Sequence, residues 1–296
     1  MNYEELKEQI KKLSDKVKII NLGSSVLGRT LFGCYFNFNS KDNIIIHGAI
    51  HAREHITCDL IFYLMQVADK KYKKFYKKIP NIKIPNILFI PMVNPDGVQL
   101  CFYGVKSVNN LEYKISLLKI NKSVDFKLFK ANAHGVDLNN NFNANFNGDP
   151  RYKLSPSAHG YCGKTFESEP ESIMLARTAR IINPCFTISY HAKGEEIYYN
   201  FHLNKQKLLI HYKVAKFFGR SLKYKITSET GLSCGGFKDY CVDTLKIPSL
   251  TIEIGQDKLT HPLPKSALAQ IIKRHKNFYK CLKKAYKFII INKNKF

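Results

Sequence analysis

The sequence predicts an α/β fold, with a mixed central β-sheet flanked by helices on both faces, and three observations predict it. Short apolar runs of strand length alternate with segments of helical periodicity along the whole chain. No repeat, low-complexity tract or Gly/Pro/Ser linker interrupts that alternation. At 296 residues and 45% apolar content, the chain can bury one large core and fits one big domain better than two small ones. Residues 1–296 are therefore expected to form a single domain, with residues 1–42 adding an N-terminal helix and a hairpin to it.

The hairpin comes from Val17 to Leu22 and Leu31 to Phe38, which flank the turn-rich GSSVLGR. NIIIH (Asn43 to His47) and NILFIP (Asn86 to Pro91) are short apolar runs suited to buried central strands. Between them, Arg53 to about Tyr72 carries Ile56, Leu60, Tyr63, Leu64 and Val67 at helical spacing and reads as a covering helix. Ser168 to Ile182 opens with Ser, Glu and Pro and runs into an amphipathic helix. Phe186 to Tyr190 and Leu250 to Ile254 read as strands. From about Leu263 onward the chain reads as a basic amphipathic helix or helix pair, packing on the sheet with its lysines in water.

Composition narrows the function. The eight cysteines show neither the short CxxC spacing of a structural zinc site nor the density of a secreted disulfide scaffold, and read as reduced thiols. The formal charge of +24 is mostly lysine spread along the chain, not a stripe of arginines mixed with aromatics. It therefore predicts no dedicated nucleic-acid role, only steering of anionic ligands. The first twenty residues hold no apolar block of signal-peptide length, and no later stretch has the length of a membrane span, so a cytoplasmic location is expected.

The chemistry lies in four residues. IHGAIHAREH places His51 and Glu54 three apart where a strand gives way to a helix, so an imidazole and a carboxylate emerge on one side of the first turn and reach one cation. A third ligand is expected from a strand end. In TISYHAKGEE, alternation puts Thr187, Ser189 and His191 on one face and Ile188 and Tyr190 on the other. Standing alone, His191 would read as a satisfied histidine at a strand end. Three protein ligands leave a fourth position for water, which distinguishes a catalytic zinc from a closed structural one. Lowering the pKa of that water calls for a nearby carboxylate to take the proton. Glu253, sharing a face with Thr251 in SLTIEIG, is the candidate base; a buried structural salt bridge is the competing reading.

These residues, together with SSVLGR, NPDG (Asn94 to Gly97), GVDLN (Gly135 to Asn139), SYHAKGEEIYY, CGGFKDY (Cys234 to Tyr240) and LTIEIG, resemble the zinc carboxypeptidase family over nearly the whole chain. The resemblance implies one zinc ion per chain held by His51, Glu54 and His191. It gives Glu253 the role of general base and later proton donor to the leaving amine. Asp137 matches the carboxylate that orients a ligand histidine. Lys130 stands where the family has a cation stabilising the oxyanion. Arg53 and Asn139 match positions lining the substrate cleft, though Arg53 also reads as an ordinary helix N-terminal residue.

Two departures bear on substrate. Asn140 stands where ordinary carboxypeptidases carry an arginine whose fork grips the C-terminal carboxylate. Gly231 occupies the place of a tyrosine that assists the chemistry. Lys238 falls where the family sets side-chain preference at the pocket floor, and a cation there favours an anionic group; its plainer reading is a solvent-facing loop lysine. Together with GVDLNxNF, YHxKGEEIYY and GGxKDxC, loss of the arginine resembles the bacterial γ-D-glutamyl-meso-diaminopimelate peptidases, which cut peptidoglycan stem peptides. The expected partner is an anionic muropeptide, either soluble inside the cell or reached after lysis or within a spore. The rivals are a zinc carboxypeptidase acting on other peptides and a catalytically silent peptidoglycan- or nucleic-acid-binding protein of the same fold.

Overall fold

The computed structural model describes residues 1–13, 15, 17–75, 84–228 and 234–296. In chain order the helices and strands are α1 (Tyr3–Ile10), β1 (Lys18–Ser24), β2 (Thr30–Phe36), β3 (Asn43–His47), α2 (Ile56–Phe75), β4 (Asn86–Ile90), α3 (Pro95–Tyr103) and α4 (Leu111–Asn121). They continue with α5 (Pro170–Ile182), β5 (Phe186–Ala192), β6 (Glu196–Tyr198), α6 (Lys205–Leu222), β7 (Lys225–Thr227), α7 (Phe237–Asp243), β8 (Ser249–Ile254), α8 (Leu268–His275) and α9 (Phe278–Ile291).

All strands join one mixed sheet in the order β1-β2-β4-β3-β5-β8-β6-β7. Its centre, β4-β3-β5-β8, is parallel, whereas β2 and β6 add antiparallel edges. Strand alternation splits the core into two faces. Ile44, Ile46, Ile188, Tyr190 and Ile252 pack with α2, α6, α8 and α9, while Ile45, Leu88 and Ile90 pack with α5 and α7. Helices thus cover both faces, and each fully buried isoleucine removes enough apolar surface to contribute roughly 1.5–3 kcal/mol.

The expected hairpin, central strands and C-terminal helix pair are present, with ends shifted by a few residues. Two differences matter for function. The helix read from Arg53 begins as a 3-10 turn over Ala52–Glu54, and α2 starts only at Ile56. A 3-10 turn stacks side chains at i and i+3, which suits His51 and Glu54 better than an α-turn does. The strand read as ending at Tyr190 runs on to Ala192, because β8 pairs with it through Ala192↔Ile254. His191 is therefore inside the sheet.

The central strands also create an opening. From β3 the chain goes through α2 to β4 on one side, and β5 later pairs with β3 on the other. Crevices open at the carboxyl ends of parallel strands where the connections diverge in this way. No helix among the described residues is long and apolar enough to cross a membrane.

Candidate metal centre and substrate cleft

The segment after β3 must leave the sheet sharply. Gly48 allows it: a Cβ there would lie 2.8 Å from both Thr57 Oγ1 and Ile61 Cδ1. Ala49 then adopts φ 48°, its amide donating to Thr57 Oγ1 at 2.7 Å. Asn94, the N-cap of α3 in the NPDG motif, donates through Nδ2 to the carbonyls of Ala131 (2.9 Å) and Ile50 (3.3 Å). The amide of Ala52 donates to the Lys130 carbonyl at 3.1 Å. The loop carrying His51 and the loop carrying Lys130 are thereby fixed against each other.

His51, Glu54 and His191 converge, all buried, with ligand atoms within 4.8 Å of one another. His51 Nδ1 lies 2.9 Å from Glu54 Oε1, and His191 Nδ1 lies 3.1 Å from Glu54 Oε2. The two Nδ1 atoms are 3.2 Å apart. Glu54 is held in place by the Ala192 amide, which donates to Oε2 at 3.1 Å. Each Nδ1 can donate to its own carboxylate oxygen, but two protonated Nδ1 atoms 3.2 Å apart set their hydrogens against each other, whereas a single cation is shared by all three groups without that conflict. That donor set, two imidazoles and a carboxylate, fits a catalytic zinc.

Electrostatics point the same way. Burial would push His51 down, but Glu54 and then Asp137 reverse this and raise it. Burial would raise Glu54, yet the two imidazoles hold it well below the usual carboxylate range. Asp137 is likewise held low, against burial, by Lys130 and His51.

Asp137 sits behind His51, its Oδ1 3.3 Å from His51 Nε2. Its Oδ2 accepts from Gly160 N at 3.0 Å and pairs with Lys130 Nζ at 2.8 Å. Lys130 thus lies at the cleft but is tied to Asp137. Glu253 is the direct strand partner of His191 in the parallel β5–β8 pair, so both side chains leave the same face. It is half-buried.

Arg53, Lys130, Asp137, Asn139 and Asn140 line one cleft with Asp149, Arg151 and Asp239. Arg53 Nε is buried and makes no hydrogen bond among the described residues. Asn139 Oδ1 accepts from the Phe237 amide at 3.1 Å, which holds the CGGF segment against the cleft. Lys238 is not among the lining residues. It is only 4% exposed, donates to the Asn200 carbonyl at 2.7 Å and pairs with Asp239. The place of the family tyrosine, Gly231, lies outside the described residues.

Some residues of the site went unread in the sequence. His47, buried below the centre, meets Ser189 Oγ through Nε2 at 2.7 Å; it shares β3 with apolar neighbours and looked like a strand end. Asp149 and Arg151 lie in a loop with no local signal of chemistry.

The sequence profile of the zinc carboxypeptidase family matches residues 3–278. The chain is 29% identical over 272 residues to gamma-D-glutamyl-L-diamino acid endopeptidase 1 of Lysinibacillus sphaericus, covering 89% of this chain and 67% of that protein. Among solved structures it is similar to bovine thrombin-activatable fibrinolysis inhibitor, with a TM-score of 0.73 at 22% identity over 98% of this chain and 96% of that one. It is also similar to the murein-tripeptide amidase of Escherichia coli O157, with a TM-score of 0.55 at 18% identity over 94% of each chain. At such identities the two structures speak for the fold alone, but the profile spans nearly the whole sequence: the chain belongs to the zinc carboxypeptidase family and is a zinc-dependent metallopeptidase.

Proposed function

We propose that this peptidase hydrolyses an amide bond in peptidoglycan stem peptides, between γ-D-glutamate and meso-diaminopimelate. His51, Glu54 and His191 would hold the zinc, which when bound polarises the scissile carbonyl and acidifies water. Glu253 takes the proton of the attacking water and returns it to the departing amine. Arg53 presents its guanidinium to the developing oxyanion, and Lys130 adds positive potential from its place on Asp137. Asp137 orients His51 through Nε2, leaving Nδ1 to face the metal. The convergence of the His51 and His191 Nδ1 atoms on Glu54, with Glu253 in register beside His191, carries the hydrolase reading.

The substrate rests on different support. The Lysinibacillus relative is named for cleaving a γ-D-glutamyl bond to a diamino acid. Asn140, a neutral amide, lines the cleft where an arginine would serve ordinary C-termini. Mass spectrometry of products from a defined muropeptide set, run beside peptides with ordinary α-linked C-termini, tests it. Cleavage at the γ-D-glutamyl bond is expected, and preference for the α-linked peptides overturns the substrate assignment.

A further inference from the structure

The cleft beside the metal-binding residues holds about 440 Å³, and its lining includes three basic side chains, Arg53, Lys130 and Arg151. The first two belong to the reaction centre: Arg53 lies in the turn between His51 and Glu54, and Lys130 is paired with Asp137. Arg151 stands apart. Its side chain is 70% exposed, and the carboxylate that holds it, Asp149, is 6% exposed.

That pairing uses one edge of the guanidinium. Nε donates to Asp149 Oδ1 at 2.8 Å and to Oδ2 at 3.0 Å, and Nη2 donates to Oδ2 at 2.5 Å. The other edge, Nη1 and the second Nη2 hydrogen, meets no partner among the described residues. A planar guanidinium offers five donors, so an edge of this kind matches a second carboxylate with two parallel hydrogen bonds. The loop is also held in place. The Tyr152 hydroxyl donates to the Cys234 carbonyl at 2.5 Å, and the Gly235 amide donates to Ala144 at 2.7 Å, which ties Arg151 to the opposite wall of the cleft. Lys238, the other cation expected to meet an anionic group, is buried behind the cleft wall, where it pairs with Asp239.

We propose that Arg151 is the specificity residue that takes a free carboxylate on the leaving segment of the substrate, with Asp149 orienting its guanidinium. The proposal rests on the peptidase reading above and adds the chemistry of one subsite. In a diaminopimelyl leaving group the carboxylate is the one on the amino-carboxylate end that a lysine residue lacks. Because Asp149 neutralises much of the charge, recognition comes from fork geometry more than from net field, and a lysine at 151 cannot reproduce it.

Zinc-loaded wild type, Arg151→Gln and Arg151→Lys test this in two ways. Isothermal titration reads binding of free meso-diaminopimelate against its monoamide, and kcat/KM is compared for γ-D-glutamyl-diaminopimelate and its carboxamide. Wild type is expected to prefer the carboxylate by about 10- to 100-fold, the range of a charge-assisted pair. Arg151→Gln brings that ratio close to one, and Arg151→Lys recovers only part of it. An undiminished ratio in Arg151→Gln, no preference in wild type, or no measurable binding of diaminopimelate overturns the proposal. If wild type cleaves no γ-D-glutamyl peptide, the substrate reading fails separately, since the binding ratio still reports on Arg151. Thermal melting confirms folding, which an exposed side chain does not govern.

Discussion

Glu171 offers a test of the packing that holds the catalytic loop. It lies in the first turn of α5, fully buried. Its Oε1 accepts from the Val26 amide at 3.2 Å and its Oε2 from Asn132 Nδ2 at 3.1 Å. Asn132 belongs to the loop between Lys130 and Asp137 and donates to Glu169 as well, which in turn meets His134 at 2.7 Å. Burial first, and then the nearby Asp96 carboxylate, push the Glu171 pKa up to about 7 from the ordinary 4.5; Asp96 itself is paired with Arg29. The folded protein therefore keeps a proton on Glu171 that the unfolded chain releases above about pH 4.5. The stabilisation is complete below that pH and is lost as pH rises through about 7, at about 1.4 kcal/mol per unit and about 3 kcal/mol in all. Glu171→Gln removes the titration at the cost of one acceptor, because its amide nitrogen cannot accept from Val26 or Asn132. Urea unfolding of both proteins at pH 5 and pH 8 should show the wild type losing up to about 3 kcal/mol relative to the variant between the two pH values, whatever offset the lost acceptor adds at both. Parallel stability curves across that range would refute the reasoning.

Three further outcomes follow from the site. Glu253→Gln should keep zinc, read by metal analysis, and lose about 10²- to 10⁴-fold in kcat, the range of a positioned general base; full activity in the variant removes Glu253 from that role. Asp137→Ala should weaken zinc affinity by about 10- to 100-fold in competition with a chelating dye, because it frees His51 Nε2 and strands Lys130; unaltered affinity would show that Asp137 does not support the centre. Gly235→Ala should destabilise by about 1 kcal/mol or more and lower kcat/KM, since φ is 66° there and the added Cβ runs into the Asn140 carbonyl; unchanged melting and kinetics would show that the backbone gives way without cost.

The parts of the fold that were legible are those whose signal is local. NIIIH and NILFIP are strands because apolar runs of that length, buried on both faces, suit central parallel strands. Period-2 alternation groups His191 with Thr187 and Ser189 and, separately, Glu253 with Thr251; the strand register, which makes His191 and Glu253 direct partners, is what brings the two faces together. By contrast α6 went unread, although Ile210, Val214, Ala215, Phe218 and Leu222 recur at helical spacing, because its lysines, His211 and Tyr212 blur the apolar stripe. The 3-10 turn under His51 and Glu54 was unreadable for another reason. Both turn types place i and i+3 near each other, and only the tertiary bonds from Ala52 to Lys130 and Ala49 to Thr57 choose between them. Asp149 and Arg151 are the hardest case, since their role depends on which wall the loop meets.

The neighbourhood of the metal ligands shows why the site sits where it does. A parallel sheet buried on both faces tolerates polar side chains only where each finds a partner. Along β5 the face that carries His191 also carries Thr187 and Ser189, which meet Ser249 and His47. Every second residue of this central strand is therefore polar, against the near-continuous apolar character that such strands otherwise show. The row climbs from hydroxyl pairs within the sheet to imidazole and carboxylate at its rim, where β3 and β5 diverge. Dry, mutually bonded groups below keep water away from the lower side of the ligands. The cleft bordered by Asn139, Asn140 and Arg151 opens on the side of Asp137, the carboxylate behind His51. Strand alternation thus positions the ligands, and the subsite proposed at Arg151 would draw the leaving segment of a peptide toward the loop that carries Asp149.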